Sequence, residues 1–143
     1  MKVLVINGPN LNMLGIREPE IYGRETYGDL VDFVCQSAKA LGAEAECLQS
    51  NHEGEIVTWI QQALGRADAI VINPAAYTHT SVAILDALKA VGLPAVEVHL
   101  SDVRRREGFR QVSYCASACG KTIAGHGFAG YREAIEFLIS PAK

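Results

Sequence analysis

Five short runs of mostly apolar residues, each followed by a stretch with helical periodicity, leave this chain few architectures. The runs are Val3 to Ile6, Ala43 to Leu48, Ala69 to Ile72, Ala95 to Val98 and Thr122 to Ala124. Each fits a buried strand of a parallel sheet. Between them lie the helices. The first starts at Thr26, with Asp29 three residues on as in a capping box, carries Leu30, Phe33, Val34, Ser37, Ala38 and Leu41, and stops at Gly42. Ile56, Val57, Ile60, Ala63 and Leu64 make a second apolar face, and Val82, Leu85, Leu88 and Val91 before Gly92 a third. Tyr131, Ala134, Ile135 and Leu138 mark a last helix, and Arg104 to Arg110 reads as a short helical turn or loop.

Strands that alternate with helices across short loops make a parallel sheet. Right-handed crossovers then place helices on both of its faces. With five strands, the expectation is an α/β, flavodoxin-like, doubly wound five-stranded parallel sheet. No repeat, low-complexity tract or linker divides the sequence, so residues 1–143 read as a single domain of that type.

Composition narrows the function. A chain of 143 residues is one domain in size, and such a domain buries about 70% of the surface its unfolded form exposes. The formal charge of −3 argues against a chain built to coat nucleic acid or an anionic membrane, and favours small-molecule work. Met1 to Asn7 runs directly into the first strand, with no apolar stretch long enough for a signal peptide or a span, so a cytoplasmic location is expected. Cys35, Cys47, Cys115 and Cys119 are scattered and form no C-x-x-C, which reads as reduced thiols.

In such sheets ligands bind beyond the carboxyl ends of the strands, near the point where strand order reverses. The exits here are one-sidedly polar: Asn7-Gly8-Pro9-Asn10-Leu11-Asn12 after the first strand, Asn73 to Ser81 after the third, and His99-Leu100-Ser101-Asp102 after the fourth. The opposite ends, at Gly42, Arg66-Ala67-Asp68 and Gly92-Leu93-Pro94, are ordinary turns. A functional site is therefore expected at the carboxyl edge. Gly15 to Gly23 has glycines at both ends and could close over it as a lid. That segment holds Arg17 and Tyr22, and a guanidinium folded over a phenol favours phenolate, lowering a pKa that is otherwise about 10.

These motifs, in this order, resemble the type II 3-dehydroquinate dehydratase family. The likeness rests on Asn7 to Asn12, Arg17-Glu18-Pro19 with Tyr22-Gly23, Asn73 to Ser81, and Glu97-Val98-His99-Leu100-Ser101. Arg106 to Arg110, Ser113-Tyr114 and Ile123 to Tyr131 are similar to the family's closing motifs. The resemblance implies anti elimination of water from 3-dehydroquinate through an enolate to 3-dehydroshikimate, with no cofactor, metal or Schiff base. That step serves the shikimate pathway or quinate breakdown. It implies Tyr22 as proton acceptor, Arg17 as the residue that keeps Tyr22 ionised and stabilises developing charge, and Asn10 as holder of a water on the enolate oxygen. His99 is implied as proton donor, a role imidazoles suit because they titrate near neutral pH. Glu97, two residues earlier on the same strand, would orient it. Substrate binding is implied for Asn73, His79, Leu100, Ser101 and Arg110. Asp86 is implied to reach a neighbouring subunit's site, in a homododecamer built as a tetramer of trimers. Three positions depart from the family pattern: Met13 for a usual leucine, Asp102 for asparagine, and Gly108 for glutamate or proline.

Three other readings compete, the first a metal hydrolase using His79, His99 and a carboxylate, against which nothing has the H-E-x-x-H spacing, His52-Glu53 lacking its second histidine. Gly125-His126-Gly127-Phe128-Ala129-Gly130 has the G-x-G-x-x-G spacing of a dinucleotide site, but only thirteen residues follow it, too few for the next strand and an acidic ribose partner. Close helix-to-sheet packing explains its glycines. A non-catalytic flavodoxin-like module holding a phosphate or nucleotide at the same edge would give no reason for Arg17 beside Tyr22.

Overall fold

A computed structural model describes residues 1–16 and 19–140, with Ile21, Tyr22 and Arg104 described by their backbone alone. Its strands are β1 (Lys2–Asn7), β2 (Glu44–Gln49), β3 (Ala69–Asn73), β4 (Ala95–His99) and β5 (Lys121–Ala124), and its helices α1 (Pro19–Tyr22), α2 (Tyr27–Ala40), α3 (Glu53–Gln62), α4 (Val82–Val91) and α5 (Ala129–Ile139). Every strand pair is parallel and the order is β2-β1-β3-β4-β5. This is the flavodoxin-like order, which reverses between β1 and β3. No helix among the described residues is long and apolar enough to cross a membrane.

Strand alternation sends successive side chains to opposite faces and so builds two cores. Val3 and Val5 pack with Val71, Val96, Val98 and Ile123 under α2 and α5, where Leu30, Val34, Tyr131 and Ile135 meet them. Leu4 and Ile6 pack with Ile70, Ile72 and Ala95 under α3 and α4, against Ile56, Ile60, Ile84 and Leu88.

The strands run further toward their carboxyl ends than their apolar runs suggest. Asn7, Gln49, Asn73 and His99 are all strand residues, and Asn7 lies in register with both Gln49 and Asn73. The ladder is made by backbone groups and continues past the last apolar side chain, so polar groups are mounted on rigid strand ends rather than on loops.

Helix ends follow the sequence. The Thr26 side chain accepts from the Asp29 N–H at 3.1 Å while Asp29 accepts from the Thr26 N–H at 2.9 Å, a reciprocal cap. Gly42 ends that turn at φ 78°. Two expectations about faces are corrected. Leu64 is 62% exposed and lies beyond the end of α3. In α4 the buried face is Ile84, Ala87 and Leu88, whereas Val82 is 50% exposed and Leu85 only half-buried. That helix is apolar almost all round, so periodicity alone does not choose which side meets the sheet.

The segment from 104 to 110 holds two short 3-10 turns, Val103–Arg105 and Gly108–Arg110. The glycine-rich stretch after β5 is used for packing: a Cβ on Gly130 would sit 3.3 Å from Ile123 Cγ2 and 3.4 Å from Val98 Cγ1. Small residues there bring α5 down onto β4 and β5.

Candidate active site

The carboxyl edge opens into a cleft of about 460 Å³, a size that suits one small molecule. Asn10, Asn73, His79, His99, Leu100, Ser101 and Arg110 all line it, brought from three strand exits and the turn at 108–110. Met13, Leu14, Val103 and Phe128 supply apolar wall, and Glu25 and Arg106 add charge.

The β1 exit is pressed against the β3 exit. The Gly8 N–H donates to the Asn73 carbonyl at 2.8 Å, and a Cβ at residue 8 would lie 2.7 Å from the Pro74 carbonyl carbon. Only glycine allows that approach. Two residues on, Asn10 takes a left-handed conformation at φ 71° and donates its N–H to Asn51 Oδ1 at 3.0 Å. Gln49 Nε2 donates to the Gly8 carbonyl at 3.1 Å and lies within 3.3 Å of Asn12 Oδ1 and 3.2 Å of Asn51 Oδ1, so β2 holds the loop that presents Asn10.

The β4 exit carries the most charged part of the site. Glu97 is fully buried, and His99 Nε2 donates to its Oε2. The carboxylate also accepts from Ser113 Oγ at 2.7 and 2.9 Å, from Thr78 Oγ1 at 3.3 Å and from Cys115 Sγ at 3.4 Å. Burial pushes the Glu97 carboxyl up, but the hydrogen bond and charge of His99, with the Ser113 and Cys115 donors, outweigh it and hold the group below its ordinary range. Burial, then the Glu97 charge, pushes the Cys115 thiol up to about 12, so it stays a protonated donor. With Nε2 engaged, Nδ1 is the His99 nitrogen left for the cleft. A neutral ring donating through Nε2 has only a lone pair at Nδ1, so His99 can give a proton there only as imidazolium.

At the β3 exit, Asn73 Nδ2 donates to the Tyr131 hydroxyl at 2.9 Å and Oδ1 accepts the Ala75 N–H at 3.1 Å. Ala75 holds φ 54°, a conformation that costs an L-residue about 1–2 kcal/mol and survives where surrounding contacts impose it. His79 Nδ1 donates to the Val112 carbonyl at 2.6 Å, which leaves Nε2 for a ligand. Arg110 lies 5.0 Å from the Phe109 ring centroid and donates through Nε to Glu107 at 2.7 Å.

The remaining expected residues fall elsewhere. Glu97 sits behind His99 rather than on the cleft wall. Asp86 is exposed on α4 and is not among the residues lining the cleft. Arg17 and the side chain of Tyr22 lie outside the described residues. Sequence reasoning missed Ser113, Thr78 and Cys115 around Glu97, and Tyr131 behind Asn73. A buried strand carboxylate such as Glu97 was the available signal, because it requires donors from neighbouring segments. Among the described residues, no group of three or more His, Cys, Asp or Glu side chains is arranged to hold a metal ion.

A model of the dehydroquinase class II family matches residues 1–139. The chain belongs to the class II dehydroquinase family. Within that family, a 3-dehydroquinate dehydratase of Clostridium perfringens is 51% identical over 144 residues and covers 100% of both chains. One of Phenylobacterium zucineum is 55% identical over 141 residues, covering 99% of this chain and 97% of the relative. The crystal structure of type II dehydroquinase from Butyrivibrio crossotus has a TM-score of 0.94 to this chain at 52% identity, with 98% of each chain covered. The family fold and the flavodoxin-like sheet described above are the same.

Proposed function

We propose that this cleft removes water from 3-dehydroquinate by anti elimination through an enolate, giving 3-dehydroshikimate, with Tyr22 as base and His99 as acid. The observation that carries the reading is the convergence of Asn10, Asn73, His79, His99, Leu100, Ser101 and Arg110 on one cleft, in a chain that matches the family across residues 1–139. The chain is a hydro-lyase, a 3-dehydroquinate dehydratase of type II. Residues 1–143 act as one catalytic domain.

Tyr22, kept ionised by Arg17, takes the proton beside the substrate's ketone, and the electron pair moves onto the carbonyl oxygen as an enolate. Asn10, fixed by Asn51 and Gln49, holds the water that hydrogen-bonds this oxygen. Collapse of the enolate forms the carbon–carbon double bond and expels the hydroxyl, which leaves as water with the His99 Nδ1 proton. The buried Glu97 carboxylate supports this step because it stabilises the imidazolium that must form first. Asn73, the free His79 nitrogen, Arg110 and the Leu100–Ser101 backbone meet the substrate's hydroxyls and carboxylate; a guanidinium matches a carboxylate in charge and shape.

Asp86 is exposed on α4 and is not among the residues lining its own cleft, which supports a role across a subunit boundary in a homododecamer arranged as a tetramer of trimers. The protein works in the cytoplasm, without nucleic acid, membrane or cofactor.

The test is absorbance in the ultraviolet band of a conjugated enone after mixing chelator-treated protein with 3-dehydroquinate, beside Tyr22→Phe. Product should form, and the variant should lose about 10²- to 10⁴-fold in rate, the usual contribution of a positioned general base. No product between about pH 6 and 9, where histidine and a lowered phenol titrate, would favour a binding module instead. Full activity in the variant would leave the reaction standing and remove Tyr22 as the base.

A further inference from the structure

Behind the cleft wall, four side chains form a chain of hydrogen bonds that runs in one direction. Asn73 Nδ2 donates to Tyr131 Oη at 2.9 Å, Tyr131 donates to Asn7 Oδ1 at 2.7 Å, and Asn7 Nδ2 reaches Tyr27 Oη at 3.4 Å. Asn7, Asn73 and Tyr131 are 1%, 3% and 0% exposed, so water does not compete for these groups. The direction is forced. Burial pushes the Tyr131 phenol well above its ordinary range, so it remains a single O–H donor. Once that proton goes to Asn7, Tyr131 can only accept from Asn73. At the other end of the Asn73 amide, the Ala75 N–H can only donate, which requires Oδ1 there.

Asn73 is thus pinned at both ends. One Nδ2 hydrogen is used inward, and the second is the one left for the cleft that Asn73 lines. We propose that Tyr131, which is fully buried and is not among the described residues lining the cleft, is a positioning residue for substrate binding: it holds the Asn73 amide so that an N–H is offered to an oxygen of the bound molecule. The proposal rests on the reading of Asn73 as a substrate contact. It gives Tyr131 a role distinct from filling the core beneath α5, because phenylalanine would fill the same space and lose only the oxygen.

The experiment compares steady-state kinetics of the parent, Tyr131→Phe, Asn73→Ala and the double variant, on 3-dehydroquinate. Tyr131→Phe should raise KM about tenfold, the size of one neutral hydrogen bond, while kcat falls less than about threefold, since a misaligned contact weakens ground state and transition state alike. A merely structural loss would lower active protein, and so apparent kcat, at unchanged KM. The double variant should have the KM of Asn73→Ala, because Tyr131 acts through Asn73. An unchanged KM in Tyr131→Phe, where Asn73→Ala raises it, would overturn the proposal and leave the function standing. A further rise in KM from Tyr131→Phe on the Asn73→Ala background would overturn it too. If Asn73→Ala leaves KM unchanged while product still forms, the contact assigned to Asn73 fails, and this proposal with it, but the reaction does not.

Should Tyr131→Phe fail to fold, 3-fluorotyrosine placed at residue 131 keeps the hydroxyl. Its fluorine resonance should shift on saturation with 3-dehydroquinate in the Asn73 protein and not in Asn73→Ala. A resonance that ignores substrate in both would overturn the proposal.

Discussion

Glu97→Gln isolates the charge of the buried carboxylate while keeping its shape. In the parent, two strong donors converge on it, His99 Nε2 and Ser113 Oγ at 2.7 Å, with Thr78 and Cys115 further off. The glutamine oxygen can keep the bond from His99. Its amide nitrogen then faces Ser113, whose hydroxyl can turn to accept, so no buried group need lose its partner. What changes is charge: a bond to an ionised group is worth about 1.5–3 kcal/mol and a neutral one about 0.5–1.5. Losing about 1 kcal/mol at each of two bonds gives a destabilisation of about 2 kcal/mol at neutral pH, or roughly thirtyfold in the folding equilibrium.

The same difference should depend on pH. The folded carboxyl is held below its ordinary range, so its contribution is complete above the unfolded value of about 4.3 and is lost as pH falls from there through the lower folded value. Urea unfolding of both proteins at one concentration, from about pH 3.5 to 8, should show midpoints that differ at neutral pH and converge in acid, with equal slopes. Activity should fall up to about a hundredfold, because the imidazolium loses a counter-charge worth up to about 3 kcal/mol. Equal stability at neutral pH, or a gap that persists unchanged in acid, would refute the assignment of Glu97 as a charged acceptor.

Three other perturbations follow from the same geometry. Gly8→Ala places a Cβ 2.7 Å from the Pro74 carbonyl carbon, where backbone cannot easily yield, and should cost about 1–3 kcal/mol in urea unfolding and lower kcat as Asn10 shifts. Ser81→Ala removes the hydroxyl that accepts the Ile84 N–H at 3.0 Å at the start of α4, and a thermal melt should register a loss of about 1 kcal/mol. Asp86→Ala changes an exposed helix residue, so the melt should move by no more than about 0.5 kcal/mol; a raised KM in the assembled protein, read beside sedimentation velocity, would support its place in a neighbour's cleft.

The sheet and its helices were legible because their signals are local. The apolar runs from Val3, Ala69 and Ala95 can hardly be anything but buried strands, and Thr26 with Asp29 specifies a helix start within four residues. The cleft was legible because polar side chains crowd three strand exits and leave the opposite ends plain. The supports behind it were not. Ser113 and Cys115 reach Glu97 across 16 and 18 residues, and Tyr131 reaches Asn73 across 58, distances along the chain for which no periodicity speaks. The face of α4 was misread for a related reason: Val82 and Leu85 are as apolar as Ile84 and Leu88, and only docking decides between them.

The reach of Tyr131 has a bearing on how the protein is made. Its hydroxyl bonds Asn7, 124 positions earlier, so nearly the whole chain lies between two groups that meet within one hydrogen bond. A ribosome would have to release α5 before Asn73 acquires its inner partner, by which time all five strands have been synthesised. Chains that stop just before Tyr131, at Ala129 or Gly130, would carry every described cleft-lining residue and still present an Asn73 amide without its Tyr131 partner. The grip on the Asn73 amide is therefore set only after the last strand has been made, by a residue of the helix that follows it.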